Sequence, residues 1–123
     1  MFKLDIDDKN NILTIKFSGR VNALQTGQLY EIMREMLSQL QNDFTILTDL
    51  SELEAMDRDA HSAIDSIMEL CREKGVSRVI SIIPDKYHDI GFNIMALFHY
   101  PPQVRMYNCK TLEEAKANLL EFK

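Results

Sequence analysis

A chain of 123 residues with 46% hydrophobic and 27% charged side chains is long enough for one domain with a buried core, and too apolar to stay disordered. A net charge of -5 without any run of Lys and Arg argues against a general nucleic-acid binder, because affinity for phosphate backbones comes largely from clustered cations. The longest strongly apolar segment, around Ile90 to Tyr100, falls well short of the ~20 residues that span a bilayer, so no transmembrane helix is expected.

Phe2-Lys3-Leu4-Asp5-Ile6 alternates strictly and predicts a strand with one wet face. The polar cluster Asp8-Lys9-Asn10-Asn11 closes a hairpin into a second strand, Ile12 to Phe17, so these two strands are expected to be antiparallel. From Asn22 the period changes. Leu29, Ile32, Met33, Met36, Leu37 and Leu40 recur at the spacing of one helix face, and Phe44 to Thr48 follows as a largely apolar strand. Ala60, Ala63, Ile64, Ile67, Met68 and Cys71 repeat the helical spacing until Gly75 stops it.

Val79 to Ile83 reads as a strand covered on both faces and ended by Pro84. A short helix over about Asp89 to Phe98 is broken by Pro101-Pro102. Val104 to Tyr107 gives a last strand and Thr111 to Phe122 a last helix, opened by a capping box of Thr111 and Glu114. The order is ββαβαβαβα. With no internal repeat or linker composition, residues 1–123 read as a single domain of α/β class, a mixed β-sheet with packed helices.

The segment Asp49-Leu50-Ser51-Glu52-Leu53-Glu54-Ala55-Met56-Asp57-Arg58-Asp59-Ala60 closes an apolar strand, turns through acidic residues and opens a helix. It resembles the STAS domains, the anti-anti-sigma factors and their SpoIIAA-like relatives. These carry Asp, an apolar residue and Ser at a strand end, then five residues, then Asp-Ser-Ser/Thr-Gly at a helix start. Asp49, Leu50, Ser51 and Asp57 match with the same gap. The departure falls at the phosphoacceptor, whose place is taken by Asp59, with Arg58 before it and Ala60 where the family has Gly. A serine-kinase switch at that position is chemically excluded. The resemblance also implies the element order above. Asp89-Ile90-Gly91-Phe92-Asn93-Ile94 and Thr111-Leu112-Glu113-Glu114-Ala115 look similar to a SpoIIAA-like branch that usually has no assigned biochemical function.

Any chemistry belongs where parallel strands end, at Gly19-Arg20, Asp49-Leu50-Ser51 and Pro84-Asp85, with Asp57 and Asp59 on the same rim. Asp57 has a simple explanation as a helix N-cap. Asp59 either fills a solvated first turn or imitates, with one charge in place of up to two, a phosphorylated residue. Ser51 is expected to hold its loop by backbone hydrogen bonds. A Mg²⁺ site on Asp49, Asp57, Asp59 and Asp85 is poorly supported, because Asp7-Asp8 lies in a hairpin turn instead of ending a parallel strand as in a phosphotransfer receiver. His61, His88 and His99 are too scattered for a ligand set, and His61 reads as an exposed partner of Asp65. No nucleophile motif occurs, so neither an enzyme nor a cofactor is expected. Cys71 and Cys109, without CxxC spacing or a signal-peptide pattern, read as reduced thiols in a cytoplasmic protein, Cys71 as inert core.

Ile90, Phe92, Ile94, Met95, Leu97, Phe98 and Tyr100 would cover a short helix almost all round with apolar groups. Burial explains that, as does an apolar ligand pocket or a contact with a second copy. Two functional readings follow. One is a non-catalytic regulatory interaction module resembling an anti-sigma factor antagonist, which binds a protein partner through Ser51, Asp57, Arg58, Asp59 and Ser62. The other is a carrier of a small hydrophobic, lipid-like molecule whose pocket is walled by Ile90, Phe92, Ile94, Met95 and Phe98. A homodimer through that same segment is a third reading.

Overall fold

The computed structural model describes residues 1–83 and 104–121. Five strands, β1 (Phe2–Asp7), β2 (Ile12–Val21), β3 (Thr45–Met56), β4 (Arg78–Ile82) and β5 (Arg105–Cys109), form one sheet in sequential order. The helices are α1 (Ala23–Met36), α2 (His61–Lys74) and α3 (Leu112–Glu121). β1 is antiparallel to β2, as the hairpin reading requires, and every later neighbour is parallel. This is the expected mixed α/β sheet; the helix expected over 89–98 lies outside the described residues.

Strands added one after another on the same edge, with right-handed crossovers, must leave their helices on one face. α1 and α2 accordingly pack together over Leu13, Ile15 and Phe17 of β2, Ile46, Leu50 and Leu53 of β3, and Val79 of β4. α3 follows the last strand and closes the other face, where Ala115 meets Leu47, Ile80, Ile82 and Cys109. β4 is therefore covered from both sides, so Val79 to Ile82 are all buried, Ser81 among them.

The opening hairpin is held by its own side chains. Asn10 donates its backbone N–H to Asp7 Oδ1 at 3.1 Å and its amide to Asp7 Oδ2 at 2.7 Å. Asn11 takes the left-handed conformation at φ 59°, which Asn tolerates well, and its amide donates to the carbonyls of Gln41 and Asn42. The turn is thus tied to the loop that leads into β3.

At α1, Asn22 and Gln25 form a reciprocal capping box: Asn22 Oδ1 accepts the Gln25 N–H at 2.9 Å and Gln25 Oε1 accepts the Asn22 N–H at 3.0 Å. Leu29, Met33, Leu37 and Leu40 are buried as the helical spacing predicts, whereas Ile32 sits on the flank and is 40% exposed. Gly75 ends α2 at φ 103°, with its N–H donating to the Cys71 and Arg72 carbonyls. At α3, Thr111 Oγ1 accepts the Glu114 N–H as expected, but Glu114 Oε2 accepts from the Lys110 N–H, one residue earlier than a reciprocal box requires.

The largest departure from expectation is the length of β3. The turn expected through Asp49 to Met56 is strand, paired with β2 as far as Val21 opposite Met56. β4 pairs only with Thr45 to Asp49, so beyond that point β2 and β3 continue together past the end of their neighbour. Two register shifts, between Lys16 and Ser18 and between Gly19 and Arg20, each place an extra residue on β3. The first, between Asp49 and Glu52, keeps Leu50 and Leu53 both turned into the core, at 3% and 1% exposure, despite a spacing that breaks simple alternation; the second follows Leu53.

Two outcomes test this description. Leu53→Ala should cost about 3 kcal/mol in denaturant unfolding, as a buried Leu truncated to Ala does; a loss under about 1 kcal/mol would mean that the β2 and β3 extension is not anchored there. The Asn10 side chain, then its backbone N–H, hold the Asp7 carboxyl below its ordinary pKa of 3.8. A depressed carboxylate contributes stability that is present above its unfolded-state pKa and lost as pH falls through the folded one. Asn10→Ala should therefore raise the Asp7 midpoint in an NMR titration, and an unchanged midpoint would contradict the assignment.

Candidate functional site

The extended β2 and β3 pair delivers its two ends side by side. Arg20 stands opposite Ala55 and Val21 opposite Met56, and the Asp57 N–H donates to the Val21 carbonyl at 2.8 Å. This brings Arg20 Nε to 2.8 Å from Asp57 Oδ1, joining side chains 37 residues apart in sequence. The Arg20 side chain is 74% exposed and that of Asp57 33%, so the pair lies on the wet rim of the sheet. Arg20 belongs to the site, and spacing alone could not have paired it with Asp57; only the bulged register does.

Asp57 leads into a single 3₁₀ turn, Arg58–Ala60, which runs directly into α2. Its side chain does not cap that turn or the helix, contrary to the N-cap reading. The carboxylate is instead engaged by Arg20, and the Asp57 backbone carbonyl accepts the Ala60 N–H at 2.9 Å. Ala60 is fully buried and anchors the turn, leaving Arg58 and Asp59 exposed on either side of the chain path. Asp59 has no hydrogen-bond or ion-pair partner among the described residues. Ser62 follows, exposed on the first turn of α2, and its carbonyl accepts the Ser66 hydroxyl at 3.2 Å.

The other expected residues fall elsewhere. Asp49 and Ser51 do not end a strand: they lie within β3, where Asp49 Oδ1 accepts the Ser51 backbone N–H at 2.9 Å. Ser51 is followed in β3 by Glu52 to Met56 before Asp57 is reached, so the two halves of the motif sit at different points along the strand. Beside them, Glu52 forms an exposed ion pair with Lys16 of β2, which raises the lysine's pKa. His61 and Asp65 form no ion pair, although both are described. Asp85, His88, His99 and the apolar group Ile90, Phe92, Ile94, Met95 and Phe98 lie outside the described residues.

Among the described residues no three His, Cys, Asp or Glu side chains are gathered to hold a metal ion, and no helix is long and apolar enough to cross a membrane. Cys71 and Cys109 are both buried. Burial pushes the Cys109 thiol pKa up, and the Asn118 amide lies 3.0 Å from its sulfur. What the rim offers is a charged surface: a neutralised Arg20 and Asp57 pair beside an exposed cation and an exposed anion.

The chain's likeness to known proteins centres on one fold. No curated protein sequence matches it. The structure of the anti-sigma factor antagonist SpoIIAA in its unphosphorylated form is similar with a TM-score of 0.66 at 17% identity, with all of both chains covered. The Bacillus cell fate determinant SpoIIAA in its phosphorylated form gives 0.63 at 21% identity, over 97% of this chain and 99% of that one. An uncharacterized protein of the DUF3478 family from Shewanella loihica, described as having a SpoIIAA-like fold, gives 0.68 at 17% identity, over 97% and 92%. At these identities the structures establish the fold alone, but residues 12–119 also match the SpoIIAA-like family as a sequence. With its five-stranded sheet, its three described helices and that match over most of its length, the chain belongs to the SpoIIAA-like family.

Proposed function

We propose that this protein is a non-catalytic regulatory module that presents Asp57, Arg58, Asp59 and Ser62 to a protein partner, an anti-sigma-factor-like or other regulator. Asp59 supplies a fixed negative charge where STAS relatives carry the Ser or Thr that is phosphorylated. The observation that carries this reading is the exposed Asp59 carboxylate on the turn before α2, beside an Asp57 whose own charge is already met by Arg20. That turn and the first turn of α2 lack any side-chain cap, so backbone N–H groups there add a positive field that favours an anion.

Structures of SpoIIAA in unphosphorylated and phosphorylated forms define two charge states of a related fold. A carboxylate cannot be switched by a serine kinase, and carries one charge where phosphate carries up to two. On this reading the protein stays in one charge state, and its regulation lies in its abundance or in its partner. Ser51, whose backbone N–H is held by the Asp49 carboxylate within β3, is left out of this surface.

The test is isothermal titration calorimetry with a partner isolated from source cells, using Asp59→Asn and Asp59→Ser. Each should weaken binding about three- to tenfold, since one interfacial charge is removed. Unfolding stability should stay within about 0.5 kcal/mol, as for surface substitutions elsewhere. Unchanged affinity for both variants would reject the role given to Asp59.

A further inference from the structure

Strand β1 borders the sheet, and among the described residues its outer edge pairs with nothing. Met1 and Ser18 exchange both hydrogen bonds, the Met1 amine donating to the Ser18 carbonyl and the Ser18 N–H to the Met1 carbonyl, each at 2.8 Å. Pairing is regular from there to Asp7 opposite Ile12. In an antiparallel ladder the pairs that exchange hydrogen bonds alternate, so Lys3, Asp5 and Asp7 spend their backbone groups on β2. Phe2, Leu4 and Ile6 turn theirs outward.

The side chains alternate too. Phe2, Leu4 and Ile6 are partly buried on the face covered by α1, while Lys3 and Asp5 point to the opposite face and are exposed. Lys3 stands opposite Lys16 and Asp5 opposite Thr14, and among the described residues neither forms an ion pair. Beside Phe2 lies an open apolar groove of about 610 Å³, bordered by Leu24, Gly27 and Ile32 of α1. Leu24 and Ile32 are 71% and 40% exposed, which is unusual for large side chains so close to a core.

We propose that a second copy of this chain pairs antiparallel with β1 about a two-fold axis through Leu4, joining two sheets into one. In that register Leu4 faces Leu4 and Phe2 faces Ile6, so the outward backbone groups of both copies are satisfied by about six hydrogen bonds. Lys3 of each copy then stands opposite Asp5 of the other, at a closely spaced position, and the two charges complete each other. Charge also selects this register. A shift of two residues one way sets Lys3 against Lys3, and the other way sets Asp5 against Asp5. The contact is isologous, and the grooves beside Phe2 extend it beyond the strand alone.

Light scattering tests this with Lys3→Asp, Asp5→Lys, the double exchange and Leu4→Pro. Wild type should give about twice the monomer mass of 14.3 kDa. Either single charge reversal should weaken association about tenfold by setting like charges opposite in two places, and the double exchange should restore it. Leu4→Pro should abolish the dimer, because it removes an outward N–H that β2 does not use. A wild-type monomer up to about 1 mM, where the association free energy is only about 4 kcal/mol, would overturn the proposal. So would a dimer unaffected by Lys3→Asp and Leu4→Pro, or one that the double exchange fails to restore.

Discussion

The geometry of the rim depends on one constraint: β2 and β3 must stay paired beyond the point where β4 stops. Up to Asp49 the sheet holds β3 on both sides, and burial on both faces fixes its register. After Asp49 only β2 remains as a described partner, and the alternation that would bury Leu50 would point Leu53 to solvent. The first bulge resolves the conflict by giving β3 an extra residue between Asp49 and Glu52, and the second adds another after Leu53. Every later position inherits that count, including the one that brings Asp57 against Arg20.

The electrostatics of the rim follow from that placement. Arg20 and Asp57 are both solvent-facing, and a pair of that kind is worth no more than about 1 kcal/mol, so its consequence is mainly for charge distribution. It removes Asp57 from the exposed anions and leaves Asp59 as the carboxylate the surface presents before α2. Buried Ala60 on one side and the β2 edge on the other hold the turn between them, so its charges are displayed from a fixed backbone.

The elements readable from sequence were those that bury one face at a regular period. β1 shows itself because Phe2, Leu4 and Ile6 alternate with wet residues, and α2 because Ile64, Ile67, Met68 and Cys71 share one stripe. The end of β3 is not readable, since Asp49, Ser51, Glu52 and Glu54 are polar and the first bulge puts Leu50 and Leu53 out of simple alternation. Asp57 read as a cap because Asp before a helix usually is one; its actual partner lies on a strand 37 residues earlier. Asn22 marks the change of period and forms a capping box with Gln25, and Ile32 is in phase with the core yet lies on the flank. Local chemistry was legible, and contacts set by strand register were not.

The most direct test of this account is amide hydrogen exchange of the protein alone and bound to its partner. Added protection should be concentrated in residues 57–66, the turn after Asp57 and the first turns of α2. Protection that leaves those residues unchanged and falls elsewhere on the chain would contradict it.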